Sequence, residues 1–337
     1  MFTRRTLLAT APATAAFLAG TAARGQQPPA PSPPPPNPAA FEAYIAGVKA
    51  EARAKGMSPA LLDRAFAGVR YNAKIIQLDR NQPEFRKTWQ QYRATAVSQG
   101  RIARGRELYV KNRELLAAVS NRYGVTPGVI MGIWGMESDY GRFPGTTYVI
   151  EALTTLAFDG RRGAYFRAEL MDALRILDHG DITPEQMTGS FAGAMGPTQF
   201  MPSSFWRFAV DFSGTGKRDI WNDLGDILAS TANNLAKEGW RAEYPWGVRV
   251  FLPPGFDTAA TGRDVRKPFG EWVRAGLRTV DGGVPGPPDA LGAVILPGGP
   301  GDEAFLVYWP NFTAIWRYNP AVFYCCAVGL IGDGVTA

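Results

Sequence analysis

Residues 126–141, Thr-Pro-Gly-Val-Ile-Met-Gly-Ile-Trp-Gly-Met-Glu-Ser-Asp-Tyr-Gly, constrain this chain more than any other stretch, because they set an acid on an apolar helix face. Thr126 reads as an N-cap and Pro127 as the first helical residue, which predicts a short helix ending at or near Gly141. Ile130, Ile133 and Trp134 precede Glu137 by seven, four and three residues and therefore share its face. A carboxylate held against isoleucine and indole is poorly solvated, so its pKa should rise toward the range in which it can donate a proton. The plain alternative is that Glu137 turns into water or pairs with Arg142. Asp139 is two residues further on and points to a different side, so this helix presents one acid.

Composition narrows the chemistry available to that acid. One histidine, His179, and two adjacent cysteines, Cys325 and Cys326, exclude most zinc sites and most histidine-based nucleophilic machinery. His179 reads as a helix-end residue facing water, and the cysteines as core packing. The 337 residues are 46% hydrophobic and 20% charged, which is globular and long enough for two or three substructures. A net charge of +6 suits an anionic partner such as a wall polymer with free carboxylates, a membrane surface or nucleic acid, and the charge alone does not choose, because no dense basic run marks a nucleic-acid module.

Along the chain, residues 1–25 form an export signal. Arg4 and Arg5 favour the twin-arginine route, and the apolar run is too short and small-residue-rich for a permanent membrane anchor. No cysteine follows for lipid attachment, so a soluble protein outside the cytoplasm, in the periplasm, is expected. Residues 26–40 are a proline-rich linker. Helical stripes then fill an N-terminal part, 41–100, broken at residues 81–86, and a core, 101–247, opening with one long helix over 101–123. Trp89 and Tyr92 share a helix face, as core aromatics commonly do. Alternating residues and abundant Gly/Pro predict a small β insertion at 248–309, and residues 310–337 return to helix.

Two further segments could carry function. In residues 189–202 glycines and alanines allow close main-chain approach, while Ser190 and Gln199 offer hydrogen bonds; a sugar or peptide lining and tight helix packing are equally good accounts. Residues 211–226 imitate a calcium loop, with Asp211, Ser213, Thr215, the Lys217 carbonyl and Asp226 as candidate ligands. Thr215 stands where a carboxylate usually binds, so calcium binding should be weak or absent and a metal-free turn is the alternative.

Glu137-Ser-Asp-Tyr-Gly141, Gly189-Ser-Phe-Ala-Gly-Ala-Met-Gly with Gln199-Phe-Met-Pro-Ser-Ser204, the 211–221 loop and Arg317-Tyr-Asn319 occur in this order. Together they closely resemble the lytic murein transglycosylase B family, glycoside hydrolase family 103, from about residue 41 to the end. The resemblance implies a mainly α (α+β) fold, a lysozyme-like helical core with an N-terminal helical part and a small β insertion. It implies cleavage of the β-1,4 bond between N-acetylmuramic acid and N-acetylglucosamine with 1,6-anhydromuramic ends, Glu137 acting first as acid and then as base. Such chemistry suits a lone carboxyl, since a water-using glycosidase normally needs two. By the same resemblance Ser190, Gln199, Tyr92, Tyr165, Tyr318, Asn319 and Tyr324 contact the glycan. Asn234 departs from the family pattern, which usually has tyrosine there, and Thr215 puts the family's calcium site in doubt. No cofactor is required beyond that possible calcium. Peptidoglycan glycan strands are the implied partner, with cell-wall synthesis proteins as further candidates, and a monomer is expected. A hydrolytic muramidase and a non-catalytic peptidoglycan-binding scaffold are the competing readings.

Overall fold

The computed structural model describes residues 37–80 and 87–337. The export signal at residues 1–25, most of the proline-rich linker and the break at residues 81–86 lie outside them. The first helices form where the sequence supplies caps. Asn37 accepts from the Ala39 N–H ahead of α1 (Pro38–Ala54), and Ser58 from that of Leu61 ahead of α2 (Pro59–Ala65). After α3 (Ala73–Arg80), Thr88 and Gln91 form a reciprocal capping box for α4 (Trp89–Ala96).

Residues 101–123, expected as one helix, are two: α5 (Gln99–Lys111) and α6 (Arg113–Tyr123). The break falls at Asn112, where the backbone turns to φ −111°, ψ 21° and the side-chain amide donates to the Leu108 carbonyl at 2.8 Å. Asparagine competes in this way with the helical ladder, a local effect that apolar periodicity does not register. α7 (Pro127–Ser138) begins at the proline read as its first residue but ends before Gly141, because Asp139 already adopts a left-handed conformation.

Two-residue strands β1 (Thr147–Tyr148) and β2 (Thr188–Gly189) pair antiparallel around α8 (Val149–Asp159) and α9 (Gly163–His179). α10 (Pro202–Phe208) and α11 (Leu224–Lys237) follow. The N-terminal helices do not stand apart from these. Val48, Leu62 and Ile76 share one buried cluster with Ile150, Leu153 and Leu170. Asp79, only 5% exposed, ties them further by accepting from Arg161 and Arg162.

The β part is an antiparallel sheet of β3 (Gly247–Phe251), β4 (Lys267–Pro268), β5 (Arg278–Thr279), β6 (Leu291–Ile295) and β7 (Ala304–Tyr308), in the order β4-β6-β7-β3-β5. β6 and β7 are almost wholly apolar because both faces are covered. Ala293, Ile295, Phe305 and Val307 join the helical core, whereas Val294, Ala304 and Leu306 pack with Trp272 of α12 (Phe269–Arg274).

The chain closes with α13 (Trp309–Tyr318) and α14 (Val322–Thr336), and α14 lies along α7. Glycines set that approach. A Cβ on Gly132 would collide with the Val328 carbonyl oxygen, and one on Gly332 would crowd the Gly128 carbonyl. Around this seam Ile130, Ile133, Trp134, Val328 and Ile331 are buried together. Cys325 and Cys326 are free thiols wholly buried in the same cluster.

We expect Gly132→Ala to cost about 1–3 kcal/mol through overpacking. Gly47→Ala, at an exposed α1 position with open space around it, should gain roughly 0.5–1 kcal/mol. Urea melts of the two variants check both signs. A pH dependence is expected at Asp181, which is 3% exposed. Burial alone would raise its carboxyl, but hydrogen bonds and charge from Arg218, with His179 adding, hold it below the usual range. A depressed folded-state pKa contributes stability above the unfolded value, about 3.9, and loses it as pH falls through the folded one. Asp181→Asn should therefore flatten the acid limb of a stability profile below about pH 4.

Candidate active site

Glu137 stands in the last turn of α7, half-buried, above a face on which Ile130 and Ile133 are fully enclosed and Trp134 is 6% exposed. Past it the chain makes a corner that few sequences tolerate. Asp139 (φ 51°) and Tyr140 (φ 59°) are left-handed in succession and Gly141 (φ 81°) follows. Among the described residues the one other non-glycine with positive φ is Gln199, at 55°. Each such residue costs on the order of 1–3 kcal/mol, so the surroundings must over-determine it.

They do so through hydrogen bonds and packing. The Asp139 N–H donates to the Gly135 carbonyl at 3.0 Å and the Tyr140 N–H to the Trp134 carbonyl at 3.2 Å. Ser138 Oγ donates to the Pro197 carbonyl at 2.5 Å and accepts from the Gly141 N–H at 2.9 Å. The Asp139 carboxyl is held by Arg101 at 3.5 Å and by Arg142 at 3.1 Å. The Tyr140 ring meets the Trp134 indole edge-on, with centroids 5.5 Å apart.

Glu137 opens into a cleft of about 730 Å³ bounded by α4, the end of α7 and the start of α14. Tyr92, Asn319 and Tyr324 line it, as do Lys87, Arg101 and Phe323, which sequence reasoning missed. Nothing in the periodicity marks those three, since each reaches the cleft through the way α4, α5 and α14 come together. Among the described residues lining the cleft, Glu137 is the sole carboxylic acid.

Its defined partner is Tyr324, whose hydroxyl donates to Glu137 Oε1 at 2.5 Å. Burial, then the Glu137 charge, pushes the Tyr324 hydroxyl well above its ordinary range. Tyr318 is raised in the same way by burial and by Glu137, and it donates to the Thr198 carbonyl at 2.6 Å. Both phenols therefore stay protonated beside the acid, one as a direct donor and the other as a neutral wall.

The remaining residues expected at the site fall outside the cleft lining. Gln199 Nε2 donates to the Pro144 and Gly196 carbonyls, each at 2.9 Å, which fixes the amide across the 144–199 junction. Ser190 Oγ accepts from the Ala194 N–H at 3.2 Å. Tyr165 lies on α9 and is 46% exposed. The loop of residues 189–200 reaches Glu137 indirectly, through Pro197 on Ser138 and Thr198 on Tyr318.

In the loop of residues 211–226 the oxygens face inward. Asp211 accepts from the Thr215 and Gly216 N–H groups, and Thr215 Oγ1 donates to the Lys217 carbonyl at 3.3 Å. Ser213 Oγ donates to Asp223 at 2.7 Å, and fully buried Asp226 accepts from the N–H groups of Phe212, Ser213 and Asp219. Burial pushes the Asp226 carboxyl up against those bonds. Among the described residues no group of three or more His, Cys, Asp or Glu side chains is arranged to hold a metal. As folded, these loop oxygens are engaged in hydrogen bonds with the loop's own donors.

A second cleft, about 720 Å³, lies between α4 and the sheet and contains Glu303. That carboxylate is taken up by a hydrogen bond and two ion pairs. It accepts from Trp89 Nε1 at 2.5 Å and pairs with Arg93 at 3.2 Å and Arg249 at 2.6 Å.

The family described as Transglycosylase SLT domain matches residues 40–333. The chain is 34% identical over 263 residues to membrane-bound lytic murein transglycosylase B of Escherichia coli (strain K12), covering 73% of this chain and 67% of that protein. It superposes with a TM-score of 0.85 on SltB3 from Pseudomonas aeruginosa in complex with NAG-anhNAM-pentapeptide, at 43% identity over 88% of this chain and 80% of that one. Against the Escherichia coli lytic transglycosylase Slt35 in complex with calcium the TM-score is 0.74 and the identity 29%, over 89% of this chain and 93% of that one. By that family match and those likenesses, the chain belongs to the transglycosylase SLT domain family.

Proposed function

We propose that this protein is a peptidoglycan lytic transglycosylase in which Glu137 alone supplies the acid and then the base. The observation that carries the reading is the cleft's single carboxyl with the Tyr324 hydroxyl on its Oε1. Hydrolysis would require a second carboxyl to activate water, and Asp139, the nearest in sequence, is turned to Arg101 and Arg142. Glu137 donates its proton to the glycosidic oxygen as the bond between N-acetylmuramic acid and N-acetylglucosamine breaks. The substrate's own acetamido group stabilises the electron-poor carbon. The Glu137 carboxylate next takes the proton of the muramoyl C6 hydroxyl, whose oxygen closes onto C1. One bond breaks, one forms, and no water is consumed.

Tyr324 has a positioning role. Its hydroxyl fixes which carboxyl oxygen faces the substrate and supports the carboxylate between the two proton transfers. Tyr92 and Asn319 hold the glycan along the cleft, with Tyr318, Ser190, Gln199 and Tyr165 as outlying contacts. The likeness to SltB3 bound to NAG-anhNAM-pentapeptide supports an anhydro product here as well. Among the described residues no helix is long and apolar enough to cross a membrane, and a periplasmic place of action follows from the wall substrate.

Glu137→Gln should lower cleavage of purified wall by at least about 10²–10⁴-fold while leaving the melting curve and wall binding close to wild type. Mass spectrometry of wild-type products decides the class of reaction. Anhydro ends are expected, reducing ends would mark a muramidase, and absence of fragments would leave a scaffold. Tyr324→Phe keeps the ring but removes the donor, and we expect kcat to fall roughly 10–100-fold with KM little changed. Because the Tyr324 hydroxyl is pushed well above its ordinary value, the wild-type profile should show no alkaline loss from this group below about pH 10.

A further inference from the structure

A basic and aromatic surface on α13 has no part in the mechanism above. Trp309 and Trp316 are seven residues apart on that helix, hence on one face, and both are half-buried. The loop before β4 lays two guanidinium groups over them. Arg263 sits 4.5 Å from the Trp316 ring centroid and 5.5 Å from that of Trp309, and Arg266 sits 4.5 Å from Trp309. The loop is pinned where the Gly262 N–H donates to the Val294 carbonyl of β6 at 2.8 Å.

The arginines are held by ring faces, which occupy their planes and leave N–H edges available. Arg263 pairs with the exposed Asp264 at 3.0 Å, and Arg266, itself exposed, has no ion-pair partner among the described residues. Two cations beside two indoles thus make a single ion pair among the described residues, to an exposed and solvent-screened acid.

The helix that carries this surface runs toward the cleft. α13 leads into Asn319, which lines it. Ten helical residues span about 15 Å, so the surface carries the binding path well past the bond being cut.

We propose that Arg263 and Arg266, held on Trp309 and Trp316, form an accessory subsite that binds the peptide carboxylates of a glycan strand engaged at Glu137. The proposal rests on the peptidoglycan reading of the cleft. It explains why cations are kept here in a fixed geometry, since a guanidinium edge takes a carboxylate in two parallel hydrogen bonds. Binding at this distance from the reacting atoms contributes to holding long, peptide-bearing strands.

The test uses the Glu137→Gln protein, so that strands are bound without being cut, with and without Arg263→Gln and Arg266→Gln. Two probes are compared: purified peptide-bearing glycan strands, and the same strands with their carboxylates converted to amides by carbodiimide and ammonia. With both arginines present, native strands should bind about tenfold more tightly than amidated ones, and the paired substitution should remove that difference. Undiminished affinity of the paired variant for native strands would overturn the proposal, as would an equal loss on both probes. Arg266→Gln alone, at an exposed position without an ion pair, guards against misfolding and should give part of the effect. If the peptidoglycan reading itself fails, neither probe binds even with both arginines in place, an outcome separate from loss of the arginine effect.

Discussion

The hydrogen bond from Tyr324 to Glu137 depends on how closely two helices approach. α14 can bring a phenol to the end of α7 because glycines at 128, 132 and 332 let the two backbones nearly touch. The same approach drives out water around Ile130, Ile133, Val328 and Ile331. An apolar seam thus fixes a polar contact at its edge, and the energy holding that contact comes mainly from burial elsewhere along the seam. The sheet acts on the same object from behind, since one face of β6 and β7 joins the cluster that holds α7 and α14.

Strain is concentrated beside the acid. Asp139 and Tyr140 would relax in most contexts, but Ser138, Pro197, Trp134 and Arg101 hold them from four directions. The arrangement turns the chain away from the cleft immediately after Glu137, so that the carboxyl ends its helix facing open space. It also occupies the neighbouring Asp139 carboxyl in ion pairs with Arg101 and Arg142.

Much of the helical part was legible because its apolar residues recur at 3.6 spacing and its caps are chemically explicit, as at Ser58-Pro59 and Thr126-Pro127. The break at Asn112 escaped, since a side-chain amide bonding back to Leu108 leaves the apolar stripe intact on both sides. The short α10 and the paired residues of β1 and β2 escaped for another reason: seven or two residues are too few to show a period. Glu137 could be read from its own helix as an acid on an apolar face. Its phenolic partner could not, because Tyr324 belongs to a helix 187 residues away and was named only through resemblance. Arg101 and Lys87 left no mark at all, since a cleft wall made where separate elements meet has no linear pattern.

That separation of 187 residues bears on when the protein becomes dangerous to its surroundings. Any partly ordered state in which α14 has not yet docked contains the acid but lacks the hydroxyl that aligns it, and lacks the second wall of the groove. On the roles proposed for Glu137 and Tyr324, full competence to cut the wall polymer thereby waits on the docking of α14.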